Sequence, residues 1–303
     1  MRRRREWAQS CAKFACRLGS ALVVTGLLIL GGCVATSNEL VSLPARNSIE
    51  SDQLIVLSDF RIPSSSPLIG DLKQLRQQVC TTLDLPYSSR PVTVYLFKDE
   101  LTYTQYIRTT YPKLPERRAY FVKKTPGDEL AVYTSWGEQI QEDLRHEFTH
   151  GLLHAALQTP PLWLDEGLAE YFEVPGLQVG GVNRNDANRL TQGLADGWRP
   201  NIHRLEGLTE VDKMSRADYR EAWAWVHFML HSSPETRQVL LTYLHDLRTS
   251  KNPSPLSKRL LAAIPNATER MSSYIATLPV TGAPMTGSTI LPASATVMPT
   301  GVQ

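Results

Sequence analysis

Cysteine is scarce in this chain of 303 residues. The four that occur are Cys11, Cys16, Cys33 and Cys80. The first three sit in or directly after a leader-like N-terminus, so Cys80 is alone in the remainder and no intrachain disulfide framework can form there. Cys80 shares a helical pattern with Leu72, Leu75, Val79 and Leu83, which makes it a small buried hydrophobe rather than a reactive thiol. A charge surplus is missing as well. The formal net charge is +2, but the first 32 residues carry Arg2, Arg3, Arg4, Arg5, Lys13 and Arg17 against Glu6, and without them the balance is −3. A mildly acidic chain lacks the clustered basic surface that nucleic-acid binding needs, so no nucleic-acid partner is expected. The apolar run at 18–30 falls short of the roughly 17–25 residues that span a bilayer. Charge is absent after Arg270, and 279–303 is rich in Pro, Thr, Ser, Gly and Ala, with too few apolar side chains to offset ordering entropy; a disordered tail is expected there.

The apolar fraction of 42% and charged fraction of 20% are those of a globular protein with one main domain. At the N-terminus a basic segment, the apolar run and Leu30-Gly31-Gly32-Cys33 follow one another as n-region, h-region and small-residue cleavage site. Residues 1–32 therefore read as a cleaved export signal. The Leu-Gly-Gly-Cys arrangement resembles the lipobox of bacterial lipoproteins. That resemblance implies that Cys33 becomes the lipidated first residue of the mature chain, that the membrane is a partner through this lipid, and that the domain works in the bacterial cell envelope. Val34, rather than Asp, leans towards the outer membrane where two are present. The bland alternative is an ordinary secretory signal with an incidental cysteine, and Arg4-Arg5-Glu6-Trp7 matches a twin-arginine signal only loosely. Residues 33–50 form a polar tether, 51–278 the main domain and 279–303 the tail.

Within the domain, periodicity predicts a helix near 67–84, a strand at 92–97, a helix near 99–110 and strands near 119–123 and 129–134. Helices follow near 136–157, 162–173, 184–196, 218–231 and 235–249, with shorter ones after 256. A small mixed sheet followed by a mainly helical half is an α+β fold. The helix at 136–157 has a capping-box pattern in Ser135-Trp136-Gly137-Glu138 and a stop in Pro160-Pro161. At about 100° per residue it shows three sectors: a polar stripe (Glu138, Glu142, Arg145, Thr149), an apolar stripe (Ile140, Leu144, Phe148, Leu152, Ala155), and between them Asp143, His146, Glu147, His150 and His154. A sector of ionisable groups flanked by Leu153 and Leu157 is not what a surface helix needs.

His146-Glu147-Phe148-Thr149-His150 places two imidazoles four residues apart on one helix face, about 6 Å along the axis, where both can converge on one zinc. Glu147 projects beside them. A catalytic zinc also needs a third protein ligand and an open position for water. Past the break at 158–161, Trp163-Leu164-Asp165-Glu166-Gly167-Leu168-Ala169-Glu170-Tyr171-Phe172 begins a second helix. Counted from that break, Glu166 on an antiparallel helix comes to a height similar to His150, so His146, His150 and Glu166 can form a two-histidine, one-glutamate set for one Zn2+ per chain.

These two stretches together, covering 146–172, resemble the signature of gluzincins, the thermolysin-like and aminopeptidase-like zinc peptidases, and most closely the peptidase MA-like members with a downstream Trp-Leu-x-Glu-Gly-x-Ala-x-Tyr helix. The gap between His150 and Glu166 is shorter than in aminopeptidases, which puts aminopeptidase specificity in doubt. The resemblance implies a thermolysin-like core, a zinc-dependent metallopeptidase acting on a peptide or protein substrate, and Glu147 as the general base that takes a proton from zinc-bound water and passes it to the leaving amine. Glu170, one turn beyond Glu166, can orient a ligand imidazole, as can Asp143, one turn before His146; a solvent-exposed acid is the bland account of either. The oxyanion donor, which in gluzincins is often a downstream Tyr or His, is Tyr219 first and His227 second, although Tyr219 packing on Trp223 accounts for it equally. His154 stands too far along the helix to share a metal with His146, and the pair His227/His231 lacks a glutamate between its members. Two other functions remain open at this point: a non-catalytic zinc-containing envelope lipoprotein, and a zinc hydrolase of a non-peptide substrate.

Overall fold

The computed structural model describes residues 41–63, 65–124, 128–174 and 181–278. The export signal at 1–32, Cys33, residues 34–40 of the tether and the tail at 279–303 lie outside the described residues.

Strands β1 (Asn47–Ser51) and β2 (Leu54–Ser58) form an antiparallel hairpin whose turn puts Asp52 at φ 52°. An α1 crossover (Leu68–Leu83) leads to β3 (Val92–Phe97), parallel to β2. Helix α2 (Glu100–Thr110) then leads to β4 (Ala119–Lys123) and β5 (Leu130–Ser135). β5 runs parallel to β3 and β4 pairs antiparallel with β5, giving the order β1-β2-β3-β5-β4 with β4 at an edge. The central strand β3 is buried along its whole length, as a strand covered on both faces must be. Its side chains alternate between two cores. Val92, Val94 and Leu96 join Leu72 and Leu75 of α1 and the helical half; Tyr95 and Phe97 join Tyr103 and Tyr106 of α2 and Tyr133 of β5.

The second half is helical: α3 (Ile140–Ala156), α4 (Leu162–Phe172), α5 (Arg184–Ala195), α6 (Ile202–Glu206), α7 (Arg216–His231), α8 (Pro234–Leu247), α9 (Leu256–Ala263) and α10 (Ala267–Thr277). The domain is α+β, a five-stranded sheet followed by helices. Two glycines set how closely the site-bearing helices approach their neighbours. A Cβ on Gly151 would lie 2.5 Å from Val92 Cγ1, so α3 rests directly on β3. A Cβ on Gly167 would lie 2.7 Å from the carbonyl oxygen of Ala222, so α4 and α7 touch backbone to backbone.

Two expectations are corrected. The tether does not extend to residue 50, because 47–51 pairs with β2, where Ile49 packs on the core. Ser135 does not cap α3: it still pairs with Phe97 in the sheet, Trp136 N–H donates to Phe97 O, and the helix begins at Ile140. The polar stripe is buried at two of its members, Arg145 and Thr149. Arg145 is buried, its Nε donating to Phe172 O (2.9 Å), Nη1 to Asp71 Oδ1 (2.8 Å) and Nη2 to Gln78 Oε1 (3.1 Å), while Thr149 donates to Arg145 O (2.7 Å). A guanidinium is tolerated there because α1 supplies its counter-charge.

Candidate metal centre

Helix α3 carries His146 and His150 on one face, and α4, turned back after the break at 158–161, brings Glu166 against them. The three side chains offer ligand atoms that all lie within 4.8 Å of one another. Glu166 Oε2 stands 3.5 Å from His146 Nε2 and 3.6 Å from His150 Nε2. Ligands about 2.0–2.1 Å from a tetrahedral zinc are separated by roughly 3.3–3.4 Å, so the spacing is that of a coordination shell rather than of hydrogen bonds. Burial supports the same fit: the His150 and Glu166 side chains are each 7% exposed, and Glu166 Oε2 has no hydrogen-bond partner. An unpartnered buried carboxylate oxygen is costly unless a cation meets it. The residues therefore fit a zinc ion.

Electrostatics follow this arrangement. Burial opposes charge on His146, but the carboxylates of Glu166 and Glu173 overcome it and hold the imidazole at about 10. Against the same burial, Asp165 and Glu166 hold His150 well above the ordinary histidine range. Burial would raise Glu166, but the two imidazoles pull it down to about 2. Glu170 goes the other way, pushed up to about 8 by burial and then by the neighbouring Glu173. The pocket crowds carboxylates around one histidine face, an arrangement that a divalent cation relieves.

The partners that orient the imidazoles differ from those expected. His146 Nδ1 donates to Glu173 Oε2 at 2.9 Å, from the C-cap of α4. Glu170 lies beside this pair, its carboxylate within 4.8 Å of the nearest His146 nitrogen and of Glu173, but makes no hydrogen bond to the ring. Asp143 is drawn away by Arg118, whose Nη2 is 2.7 Å from Asp143 Oδ1, so it does not serve His146. Asp165 Oδ2 lies 3.0 Å from His150 Nδ1, without hydrogen-bond alignment, and 3.0 Å from His154 Nε2, with it. His154 thus reaches the site through Asp165. Phe121 covers both rings, its centroid 6.0 Å from that of His150 and 5.1 Å from that of His154.

Glu147 is beside the two histidines, and its Oε2 accepts a hydrogen bond of 2.6 Å from the backbone N–H of Phe121 on the edge strand β4. It opens, with His146, Glu170 and Tyr219, on a cleft of about 900 Å3. Tyr219 is half-buried beside Arg117, and burial and then Glu166 raise its pKa against the lowering effect of Arg117. The contact of Gly167 with Ala222, one turn along α7, brings Tyr219 to this wall. Arg117, in the loop before β4, is electrostatically coupled to Tyr219 and Glu166. His227, the second choice as oxyanion donor, is two turns beyond Tyr219 and shares a short hydrogen bond of 2.6 Å between its Nδ1 and Tyr274 Oη. His231 is likewise bonded through Nε2 to Tyr171 Oη at 2.7 Å. Cys80 is a free, buried thiol pushed up by desolvation.

The family profile described as "Protein of unknown function (DUF1570)" matches residues 142–254, which include most of α3 and all of α4 and α7. Among solved structures, the chain is similar to an M1 zinc metallopeptidase from Deinococcus radiodurans, at 16% identity and a TM-score of 0.46, over 80% of this chain and 54% of that one. It is also similar to a glutamate-to-alanine mutant of an M1 zinc metallopeptidase from the same organism, at 13% identity and a TM-score of 0.37, over 80% of this chain and 53% of that one. The chain thus spans about half the length of these structures. No curated protein sequence matches it.

Proposed function

We propose that the chain is a zinc-dependent metallopeptidase of the bacterial cell envelope. The observation that carries this reading is the set of His146 Nε2, His150 Nε2 and Glu166 Oε2 at coordination spacing, with a carboxylate, Glu147, that joins neither the set nor an ion pair and faces an open cleft. A structural zinc site is closed by four protein ligands and needs no base, so the open cleft favours catalysis.

A zinc ion on those three atoms would polarise the scissile carbonyl and acidify an attacking water. The remaining work falls to the chain's own residues. Glu147 takes the proton as the water oxygen bonds to the carbonyl carbon; it then delivers that proton to the amine nitrogen as the C–N bond breaks. The Phe121 N–H holds one Glu147 oxygen and so aims the other at the cleft. Tyr219, on the cleft wall, donates to the developing oxyanion. Glu173 fixes His146 as the tautomer that presents Nε2. β4 leaves one edge unpaired beside the cleft, where an extended peptide can add as a strand.

Envelope attachment rests on the lipobox-like Leu30-Gly31-Gly32-Cys33. Among the described residues no helix is long and apolar enough to cross a membrane.

The test is Glu147→Gln. Gln keeps the shape of Glu but takes no proton at neutral pH, so peptide hydrolysis should fall by about 10²–10⁴ while zinc content and melting temperature stay near wild type. Retained activity would remove Glu147 as the base.

A further inference from the structure

The cleft is zoned by charge. Its floor holds His146 and the half-buried carboxylates Glu147, Glu170 and Glu173, the last of them bonded to the Nδ1 side of His146. Its mouth holds five arginines, four exposed and Arg220 half-buried. Arg118 is neutralised by Asp143 at 2.7 Å and Glu142 at 3.8 Å. Arg117, Arg189, Arg216 and Arg220 form no ion pair among the described residues. One carboxylate, Asp186, stands near enough to feel Arg220 and Arg189. The segments outside the described residues add only Glu6 and Glu39 as acidic side chains.

The rim therefore carries arginines without an ion pair among the described residues, above a floor where Glu147 is held by the Phe121 N–H and Glu173 by His146 Nδ1. Guanidinium groups converging on a concave opening focus a positive potential, raise the local concentration of anions and grip carboxylates in bidentate fashion. Arg216 and Arg220, four residues apart on α7, share the face that also bears Tyr219, so they flank the group assigned to the oxyanion. Arg189 joins them from α5. Arg117 is set apart because it is coupled to Tyr219 and Glu166.

We propose that Arg189, Arg216 and Arg220 select peptide substrates carrying a carboxylate close to the scissile bond. The proposal rests on the peptidase reading above and names its substrate class. The carboxylate can be an Asp or Glu side chain or a free C-terminus, and both present the same chemistry to the rim.

The experiment uses the full-length, zinc-loaded protein and quenched fluorescent peptides of one scaffold in four forms: neutral with an amidated C-terminus, acidic and amidated, lysine-containing and amidated, and neutral with a free C-terminal carboxylate. Either carboxylate form should be cleaved with a kcat/KM about 10-fold or more above the neutral amide at low salt, and the form that gains identifies the source. The ratio should shrink at 0.5 M salt, where screening shortens to a few ångströms. Arg216→Gln with Arg189→Gln should lower the ratio of kcat/KM between the carboxylate and neutral peptides about 10-fold, and Arg216→Glu should shift preference towards the lysine peptide. Binding of the labelled carboxylate peptide to the Glu147→Gln protein, read by fluorescence anisotropy, provides an arm that needs no turnover. If no peptide is cleaved yet this binding is selective for the carboxylate and lost in the arginine variants, the rim assignment stands and the peptidase reading falls. Equal cleavage and equal binding of acidic and neutral peptides, or arginine variants that weaken both alike, would overturn the proposal.

Discussion

Replacing Glu173 by Gln removes a carboxylate that neither touches the metal position nor belongs to the motif that defines it. Glu173 Oε2 accepts the Nδ1–H of His146 at 2.9 Å and holds that ring so that Nε2 points at Glu166 Oε2, 3.5 Å away. Glutamine keeps the volume and can still accept through its amide oxygen, but the interaction is no longer charge-assisted and the ring loses basicity. Loss of such an outer partner typically weakens metal binding 10–100-fold, or about 1.4–2.7 kcal/mol. The structure places Glu173→Gln in that range. Asp143→Asn should change affinity less than twofold, because Asp143 is taken up by Arg118 at 2.7 Å. Glu170→Gln should change affinity little, because burial and then Glu173 push its carboxyl up to about 8, so that it is mostly protonated at neutral pH already. Competitive titration of zinc against a chelating dye measures all three. Equal affinities for wild type and Glu173→Gln, or a larger loss in Asp143→Asn, would refute the assignment of Glu173 as the positioning residue of His146.

Arg145→Met should destabilise the protein by about 3–5 kcal/mol, because it strands the half-buried Asp71 and the Phe172 carbonyl; urea unfolding measures it, and a loss below 1 kcal/mol would contradict the role of the ion pair in joining α1, α3 and α4. Gly167→Ala forces α4 from α7, since its Cβ would meet the Ala222 carbonyl at 2.7 Å; a destabilisation of about 1–3 kcal/mol with a drop in kcat as Tyr219 shifts is expected, and unchanged melting and turnover would contradict the close approach. Cys33→Ser should release the protein from the membrane fraction, and unchanged partitioning would show that something other than lipid holds it there.

The metal-bearing helices were legible because their signal is local. His146 and His150 lie one turn apart, and the break at 158–161 fixes where α4 starts, so the approach of Glu166 follows from counting. The groups around them were not. Glu173 sits at the C-cap of α4, where the helical repeat no longer dictates side-chain direction, and Asp165 precedes Glu166 by one residue yet reaches His150 and His154. Neither position is given by a period. Arg145 belongs to a polar stripe by its helical spacing, but nothing local gives its burial; its counter-ion, Asp71, is 74 positions earlier in the chain. β1, with Asn47, Ser48, Glu50 and Ser51 around a lone Ile49, has almost no apolar alternation, as an edge strand permits, and was absorbed into the tether. Arg117 comes from a loop, and only the packing of α7 against α4 brings it near Tyr219.

The central claim is that three atoms of this chain hold one zinc, and metal content tests it directly. Elemental analysis of the purified protein, after dialysis against a weak chelator, should return one zinc per chain. His146→Ala, His150→Ala and Glu166→Ala should each lower it sharply while circular dichroism shows the fold retained, and Glu147→Gln should leave it at one. Stoichiometric zinc surviving the loss of His150, or no zinc in the wild-type protein, would contradict the account.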